Sequence, residues 1–169
     1  MVRLIGIDPG SRKTGYGVID VHAHQHRYVA AGVLSVPKGE LAQRLEYIFT
    51  EVAEIVRIYQ PTEAAVERVF MNRNADSALK LGQARGAAIC ALVTRQLSVA
   101  EYSAKQVKQA IVGWGGADKA QIQQMVQRIF NLDSLPQEDA ADALAVAVCH
   151  CQQRIMRQRL KQVTERVSE

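Results

Sequence analysis

The stretch VRLIGIDPGSRKTGYGVIDV, residues 2–21, opens with a short apolar run that ends at Asp8 and is stopped by Pro9 and Gly10. A nearly continuous apolar run of this length is typical of a strand buried on both faces of a sheet. Apolar residues return over residues 15–21, which predicts a second strand. We therefore expect the carboxylate of Asp8 at the end of a central strand.

A second carboxylate follows another apolar run in the same way. Ala64, Ala65 and Val66 come after Pro61, and Glu67 ends the run. This pattern predicts a second buried strand with an acidic side chain at its tip.

Two more carboxylates, Asp139 and Asp142, open an apolar helix whose start is marked by Pro136 and an acidic first turn. Residues three and four apart share a helix face, so both acids lead a stripe that continues to Cys149 and that we expect to be buried. Asp139 alone also fits an N-cap or a partner of the helix dipole. Asp142 does not, because a carboxylate at the head of a buried stripe needs a partner or a cation.

If the four acids converge, they require counter-charge. Two unit charges about 4 Å apart repel by roughly 4 kcal/mol at an effective dielectric of about 20. Mg²⁺ and Mn²⁺ take oxygen ligands, and a pair of such ions can activate a water and stabilise the leaving oxygen of a phosphodiester. No Cys or His cluster of zinc spacing accompanies the acids. The pattern predicts a metal-dependent nuclease.

Composition favours one domain in a reducing compartment. The chain has 169 residues, of which 48% are hydrophobic, enough for one sizeable core. No apolar stretch would span a membrane, no signal-peptide pattern is present, and three cysteines argue against a disulfide frame. We predict a single domain over residues 1–157, a polar C-terminal tail over residues 158–169, and a cytoplasmic location.

Strands come first along the chain, and helices and strands alternate afterwards. This order predicts an α/β fold, a mixed five-stranded sheet that begins with an antiparallel meander and carries helices on both faces. The predicted strands cover residues 2–8, 15–21, 28–36, 64–67 and 97–102, and the predicted helices cover residues 41–59 and 75–95 with three more beyond.

Three motifs stand in order along the chain: GIDPGS at residues 6–11 with TGYG at 14–17, ERVFM at 67–71 continuing into NADSALKLGQARG at 74–86, and DAADALA at 139–145. They resemble those of the RuvC family of bacterial Holliday junction resolvases. The resemblance covers residues 3–150, and the final stretch does not contribute to it.

The resemblance implies a ribonuclease H-like fold and a homodimer that cuts four-way DNA junctions symmetrically in recombination and DNA repair. It implies two Mg²⁺ ions per site, replaceable by Mn²⁺, on the positions of the four acids, and ligatable nicks with 5′-phosphate and 3′-hydroxyl ends. It also implies a RuvA–RuvB branch-migration complex as a partner. The four-way junction as substrate rests on the resemblance alone.

Charge in the second half of the chain suits a polyanionic partner. Between Arg68 and Arg128, nine Lys or Arg residues oppose three acids, a net of six positive charges against +4 for the whole chain. A solvated surface is the alternative explanation for any single cation. The DNA contacts that we expect are Phe70, Arg73, Lys80, Arg85, Lys105, Lys108 and Lys119.

Two lysines in this region, Lys108 and Lys119, lie in helices whose first residues can be predicted from capping motifs. A capping box at Ser103 begins a short helix that carries Lys108. A second capping box, at Asp118, begins another helix and places Lys119 in its first turn. The helix dipole disfavours a cation there, but a bound phosphate would make the cation favourable. The resemblance gives both lysines a catalytic role near the scissile phosphate.

Phe70 follows Glu67 in a predicted loop. An aromatic ring beside the acids can stack on an unpaired base, a contact worth roughly 1 to 3 kcal/mol. The resemblance supports this role in opening the junction centre, and a loop residue that caps the core is the alternative.

Gly82 and Gly86 lie four apart in a predicted helix, where each costs about 1 kcal/mol relative to Ala. Close approach of another segment to the helix backbone would explain why glycine stands at both positions. Tight packing on the sheet is one interpretation, and the resemblance favours a helix contact across a dimer two-fold.

Three other functions share parts of this pattern. An actin-like phosphotransferase would use residues 8–11 as a phosphate loop but needs a longer chain. A junction-binding module without catalysis has no need of four acids. A ribonuclease H-like RNA-processing nuclease would share the acid geometry. The alternating His22, His24 and His26 lie in a predicted hairpin turn, and their role is open.

Overall fold

The computed structural model describes residues 1–22, 25–69 and 74–167, without the side chains of residues 158, 159, 161–163 and 165–167. Its five strands form one sheet in the order β3-β2-β1-β4-β5. They are β1 (Val2–Asp8), β2 (Lys13–His22), β3 (Gln25–Ser35), β4 (Glu63–Arg68) and β5 (Ser98–Ser103). The first three pair antiparallel, whereas β4 lies parallel to β1 and β5 lies parallel to β4. The predicted meander and mixed five-stranded sheet are confirmed.

The helices cover both faces of this sheet, as predicted. They are α1 (Leu41–Tyr59), α2 (Ala75–Thr94), α3 (Ala104–Val112), α4 (Lys119–Phe130) and α5 (Glu138–Val167). Side chains along β1 point alternately to the two faces of the sheet, so the core has two parts. Leu4 packs with α3, α4 and α5 on one face, and Ile5 and Ile7 pack with α1 and α2 on the other. All three side chains are fully buried, which makes β1 the centre of the sheet.

A buried polar network holds α5 against β4 and β5. The Tyr102 hydroxyl lies 2.9 Å from Nδ1 of His150, and Nε2 of the same ring lies 3.1 Å from a carboxylate oxygen of Glu63. Arg154 donates to the other Glu63 oxygen at 2.9 Å. Because each buried polar group has a partner, the network fixes the position of α5 on the sheet.

The last helix, α5, includes most of the predicted polar tail. It extends from Glu138 to Val167 and so passes residue 157, after which the tail was predicted to begin. None of the helices in the described part of the chain is both long and apolar enough to cross a membrane.

Candidate active site

Asp8 and Glu67 lie side by side at one edge of the sheet. β1 and β4 are parallel, with Ile7 opposite Val66, so the next residue of each strand is one of the two acids. The carboxyl ends of neighbouring parallel strands meet at the same edge, which is why the two apolar runs deliver their carboxylates to one place.

Asp139 and Asp142 reach the same edge from α5, which packs unusually close to the sheet. A Cβ atom on Gly15 would lie 1.9 Å from the carbonyl oxygen of Asp139, and one on Gly6 would lie 2.2 Å from that of Ala143. The missing side chains in β1 and β2 therefore create the space for the start of α5. The helix begins at Glu138, so Asp139 lies inside the first turn, and its reading as an N-cap is wrong.

The acids border a cleft of about 280 Å³. It is lined by Asp8, Glu67, Ala104, Val107, Lys108, Lys119, Ile122 and Asp142. Asp139 lies just beyond this lining, but its negative charge helps to raise the pKa of both Asp8 and Asp142. The four acids predicted from the sequence thus form one electrostatic cluster.

Burial and repulsion from neighbouring acids make Asp8, Glu67 and Asp142 hard to ionise. Burial first, and then the charges of Glu67, Asp142 and Asp139, raise the pKa of Asp8 to about 8. Burial and the charge of Asp142 raise the pKa of Glu67 to about 7, and burial raises that of Asp142 to about 6. Positive charge would be needed to keep all of them ionised near neutral pH.

The donor set fits a hard divalent cation. Its members offer only carboxylate oxygens, the ligand type that Mg²⁺ and Mn²⁺ prefer. Within the described ranges, no group of three or more His, Cys, Asp or Glu side chains has the arrangement of a metal site, His22 and His26 included. Asp8, Glu67 and Asp142 line an open cleft instead, which leaves room for substrate.

Lys119 lies at the mouth of the cleft and is paired with Glu138, the first residue of α5. Its hydrogen bond to that carboxylate, and the charges of Glu138, Asp142 and Asp8, raise the pKa of Lys119. The helix dipole at the start of α4 disfavours the Lys119 charge, and the acids of α5 offset this effect. Glu138 was missed by the sequence reasoning, although it directly precedes Asp139.

Lys108 also lines the cleft, on the side formed by α3. The predicted capping box at Ser103 is present, and it starts the helix that carries this lysine. The Lys108 ammonium donates to the carbonyl oxygen of Ala117 at 2.6 Å, and its charge opposes part of the rise in the pKa of Glu67 and Asp142. Both predicted lysines are thus placed beside the acids.

Other predicted DNA contacts have partners within the chain. Lys80 pairs with Asp76 at 2.6 Å. Arg85 pairs with Glu101 at 2.5 Å and donates to the Glu67 carbonyl oxygen at 3.3 Å, so it also braces the end of β4. Lys105 is exposed. Phe70, Arg73 and His24 lie outside the described residues.

The two glycines of α2 face open space. A Cβ atom on Gly82 or Gly86 would meet nothing within 4 Å, so the interpretation as tight packing on the sheet is wrong. Leu79 and Val93 on the same helix face are more than half exposed. This face is defined here as the α2 stripe, consisting of Leu79, Gly82, Gly86, Cys90 and Val93.

Known proteins resemble this chain over most of its length. A family model described as crossover junction endodeoxyribonuclease RuvC matches residues 4–150. Proteins of that name are 57% identical over 150 residues in Acinetobacter baylyi, covering 89% of this chain and 83% of the relative, and 57% identical over 159 residues in Hahella chejuensis, covering 93% and 92%. A solved structure of T. thermophilus RuvC in complex with Holliday junction substrate superposes with a TM-score of 0.85 at 34% identity, covering 92% of this chain and 96% of that one.

Proposed function

The chain belongs to the RuvC family of crossover junction endodeoxyribonucleases and has the ribonuclease H-like fold, and from this premise we propose that it resolves four-way DNA junctions by paired, symmetric nicks. The observation that supports the proposal most directly is the cluster of four carboxylates at one sheet edge, with two lysines beside it. The nicks would carry 5′-phosphate and 3′-hydroxyl ends and serve recombination and DNA repair in the cytoplasm.

Asp8, Glu67, Asp139 and Asp142 would hold two Mg²⁺ ions, for which Mn²⁺ can substitute. Such a pair polarises the attacking water and neutralises charge on the phosphodiester and its leaving oxygen. The raised pKa values of Asp8, Glu67 and Asp142 support this assignment, because a dication is the counter-charge that would return these groups to the carboxylate form.

The two lysines complement this charge. Lys119 and Lys108 reach the cleft from α4 and α3, so both can contact a phosphate bound beside the acids. A fixed cation aimed at a phosphate oxygen stabilises the transition state without reorganisation during the reaction. Glu138 and the Ala117 carbonyl oxygen hold the two ammonium groups in place before substrate arrives.

A homodimer would provide two such sites for paired cuts. The α2 stripe supports this, because it combines exposed apolar side chains with two glycines whose missing side chains permit close approach of a second helix. A second copy of the chain, related by a two-fold axis, would place the same stripe against itself.

Junction selectivity is assigned to residues other than the four acids. Phe70 would stack on a base at the junction centre, and the remaining contacts to DNA phosphates would come from Arg73, Lys80, Arg85 and Lys105. Transfer of a junction from a RuvA–RuvB branch-migration complex is part of the same proposal. A base stack and several phosphate contacts together would favour an opened junction over a plain duplex.

A cutting assay on a labelled, mobile-core four-way junction tests the proposal. The full chain is compared with Asp8→Asn, with Mg²⁺ or with EDTA, on the junction, on a linear duplex of the same sequence and on structured RNA. We expect paired, ligatable nicks only on the junction, only with Mg²⁺ and only from the unchanged chain.

Two results would count against it. Tight junction binding without nicks by the unchanged chain in Mg²⁺ would indicate a binding module. Preferred cutting of the structured RNA would indicate an RNA-processing nuclease.

A further inference from the structure

Three cations gather around a surface depression of about 610 Å³ on the α1 side of the sheet. It is lined by Arg12, Val36, Pro37, Lys38, Gly39 and Arg44, with no acidic residue among them. This group of Arg12, Lys38 and Arg44 is called the α1 patch below. It lies outside the basic region between residues 68 and 128 that the sequence pointed to.

The cations of the α1 patch are not neutralised by the protein. Among the described residues none of the three forms an ion pair, in contrast to Lys80, Arg85 and Lys119. A terminal nitrogen of Arg44 donates to the Ser11 carbonyl oxygen, but its Nε is buried and has no acceptor among the described residues. A buried donor on a charged group is costly without an acceptor, so an anionic group in the depression next to the Arg44 guanidinium would be favourable.

The α1 patch lies at the same sheet edge as the acids. Arg12 is four residues beyond Asp8, which limits their Cα separation to about 14 Å. Along one DNA strand, where charges repeat about every 3.4 Å of helix axis, this corresponds to about four phosphates. The backbone N–H of Val36 donates to the Arg12 carbonyl oxygen at 2.9 Å, which holds the two loops of the patch together.

The start of α1 adds to the positive potential. Glu40 occupies the N-cap position but makes no side-chain hydrogen bond to the first turn, and this turn contains no acidic residue. The positive end of the helix dipole is therefore not capped by that side chain beside Lys38 and Gly39. Asn74, Ser103 and Asp118, by contrast, cap α2, α3 and α4.

We propose that the α1 patch binds backbone phosphates of a DNA arm a few nucleotides from the scissile phosphate. Lys108 and Lys119 approach the cleft from the α3 and α4 side, so the patch would hold the DNA on the other side of the acids. Arginine is suited to this, because its guanidinium presents donors in a fork that matches phosphate oxygens. The inference deepens the proposed function, on which it rests for the DNA substrate.

Binding measured at several salt concentrations tests this inference. Fluorescence anisotropy of a labelled four-way junction, and of a linear duplex, is recorded in EDTA between 50 and 200 mM salt for the unchanged chain and for the double variant Arg12→Ala/Lys38→Ala. Both side chains are exposed, and Arg44 is kept because it also ties the turn at Ser11 to α1. Loss of two phosphate contacts should lower the slope of log K against log salt by about 1.8 and weaken binding to both DNAs at least tenfold.

A charge-matched control is Arg27→Ala/Arg95→Ala, which removes two exposed cations near the opposite ends of the strands. It should leave the salt slope unchanged. Glu40→Gln, which removes a negative charge beside the patch, should tighten binding about twofold to threefold. A misfolded protein would not bind DNA more tightly, so this gain in affinity would separate a charge effect from a loss of structure.

The outcomes separate the two proposals. If the unchanged chain binds the junction and the Arg12/Lys38 variant keeps its affinity and slope, the α1 patch is overturned while the resolvase proposal stands. The unchanged chain could instead bind the duplex as well as the junction, in which case the resolvase proposal fails. A lower salt slope for the Arg12/Lys38 variant would then still support phosphate binding at the α1 patch. Failure to bind either DNA would overturn both.

Discussion

Gly15 of β2 lies directly beneath the backbone of Asp139 at the start of α5, where any Cβ atom would fall 1.9 Å from the Asp139 carbonyl oxygen. Gly15 is also the register partner of Asp8 in the antiparallel pair of β1 and β2. One residue without a side chain thus brings the acid of the first strand and the acids of the last helix together, although more than a hundred residues separate them in sequence.

Replacement of Gly15 by alanine should therefore damage the acid cluster. The new methyl group would force α5 away from the sheet, at a cost of about 1 to 3 kcal/mol for overpacking. We expect a lower melting temperature, a weaker stabilisation by Mg²⁺ and a large loss of junction cutting. Thermal unfolding with and without Mg²⁺ measures the first two effects.

Thr50→Ala is the control for this change. Thr50 is exposed on α1, away from the α2 stripe, and alanine is favoured over threonine inside a helix. Its melting temperature should be equal or higher. A Gly15→Ala protein as stable and as active as the unchanged chain would show that the close approach of α5 is not needed.

The raised pKa values predict how stability depends on pH. Asp8, Glu67 and Asp142 keep their protons to higher pH in the folded chain than in the unfolded chain, with folded values of about 8, 7 and 6. Their contribution to stability is thus complete below about pH 4 and is lost as the pH rises towards 8, by up to about 1.4 kcal/mol per pKa unit.

In the metal-free chain, Asp8→Asn should consequently be more stable than the unchanged protein at pH 8, with a smaller difference at pH 5. Mg²⁺ competes with protons for the same oxygens, so its stabilising effect on the unchanged chain should grow from pH 5 to pH 8. Melting temperatures at both pH values, with EDTA or Mg²⁺, provide the measurement. A Mg²⁺ effect independent of pH would contradict the assignment of these acids as ligands.

Lys119 is expected to act on the reaction more than on binding. Lys119→Met should slow junction cutting by about 10²- to 10³-fold, the usual loss when one preorganised charge at a transition state is removed. Junction affinity in EDTA should fall much less. Arg95→Met, an exposed cation after α2, is the control and should cut at the normal rate. Equal losses in affinity and rate for Lys119→Met would indicate a simple binding role.

Local patterns were sufficient to predict most of this fold. The apolar run before Asp8, the helical spacing in α1 and the capping boxes at Ser103 and Asp118 each depend on neighbouring residues, and the structure contains all of these elements. The four acids could be singled out because each one ends or begins a buried apolar segment.

Other features depend on contacts between distant segments and leave little local signal. The pairing of Lys119 with Glu138 joins α4 to α5, and the α1 patch joins the turn at Arg12 to α1. Gly82 shows the same limit, because a helical glycine has the same local pattern whether it packs on its own sheet or faces outward. Only the three-dimensional arrangement separates these cases.

The outward-facing glycines lead to a prediction about assembly. Gly82→Leu would add a side chain at the centre of the α2 stripe, where the chain itself leaves open space but a second helix would be excluded. We expect a folded monomer in sedimentation experiments, where the proposal predicts a dimer for the unchanged chain, and loss of paired nicks on the junction. Thr50→Leu adds similar bulk to an exposed position on α1 and should remain dimeric. If Gly82→Leu sediments as a dimer and still makes paired cuts, the α2 stripe is not the interface, because a close two-fold helix contact cannot accommodate two leucines at its centre.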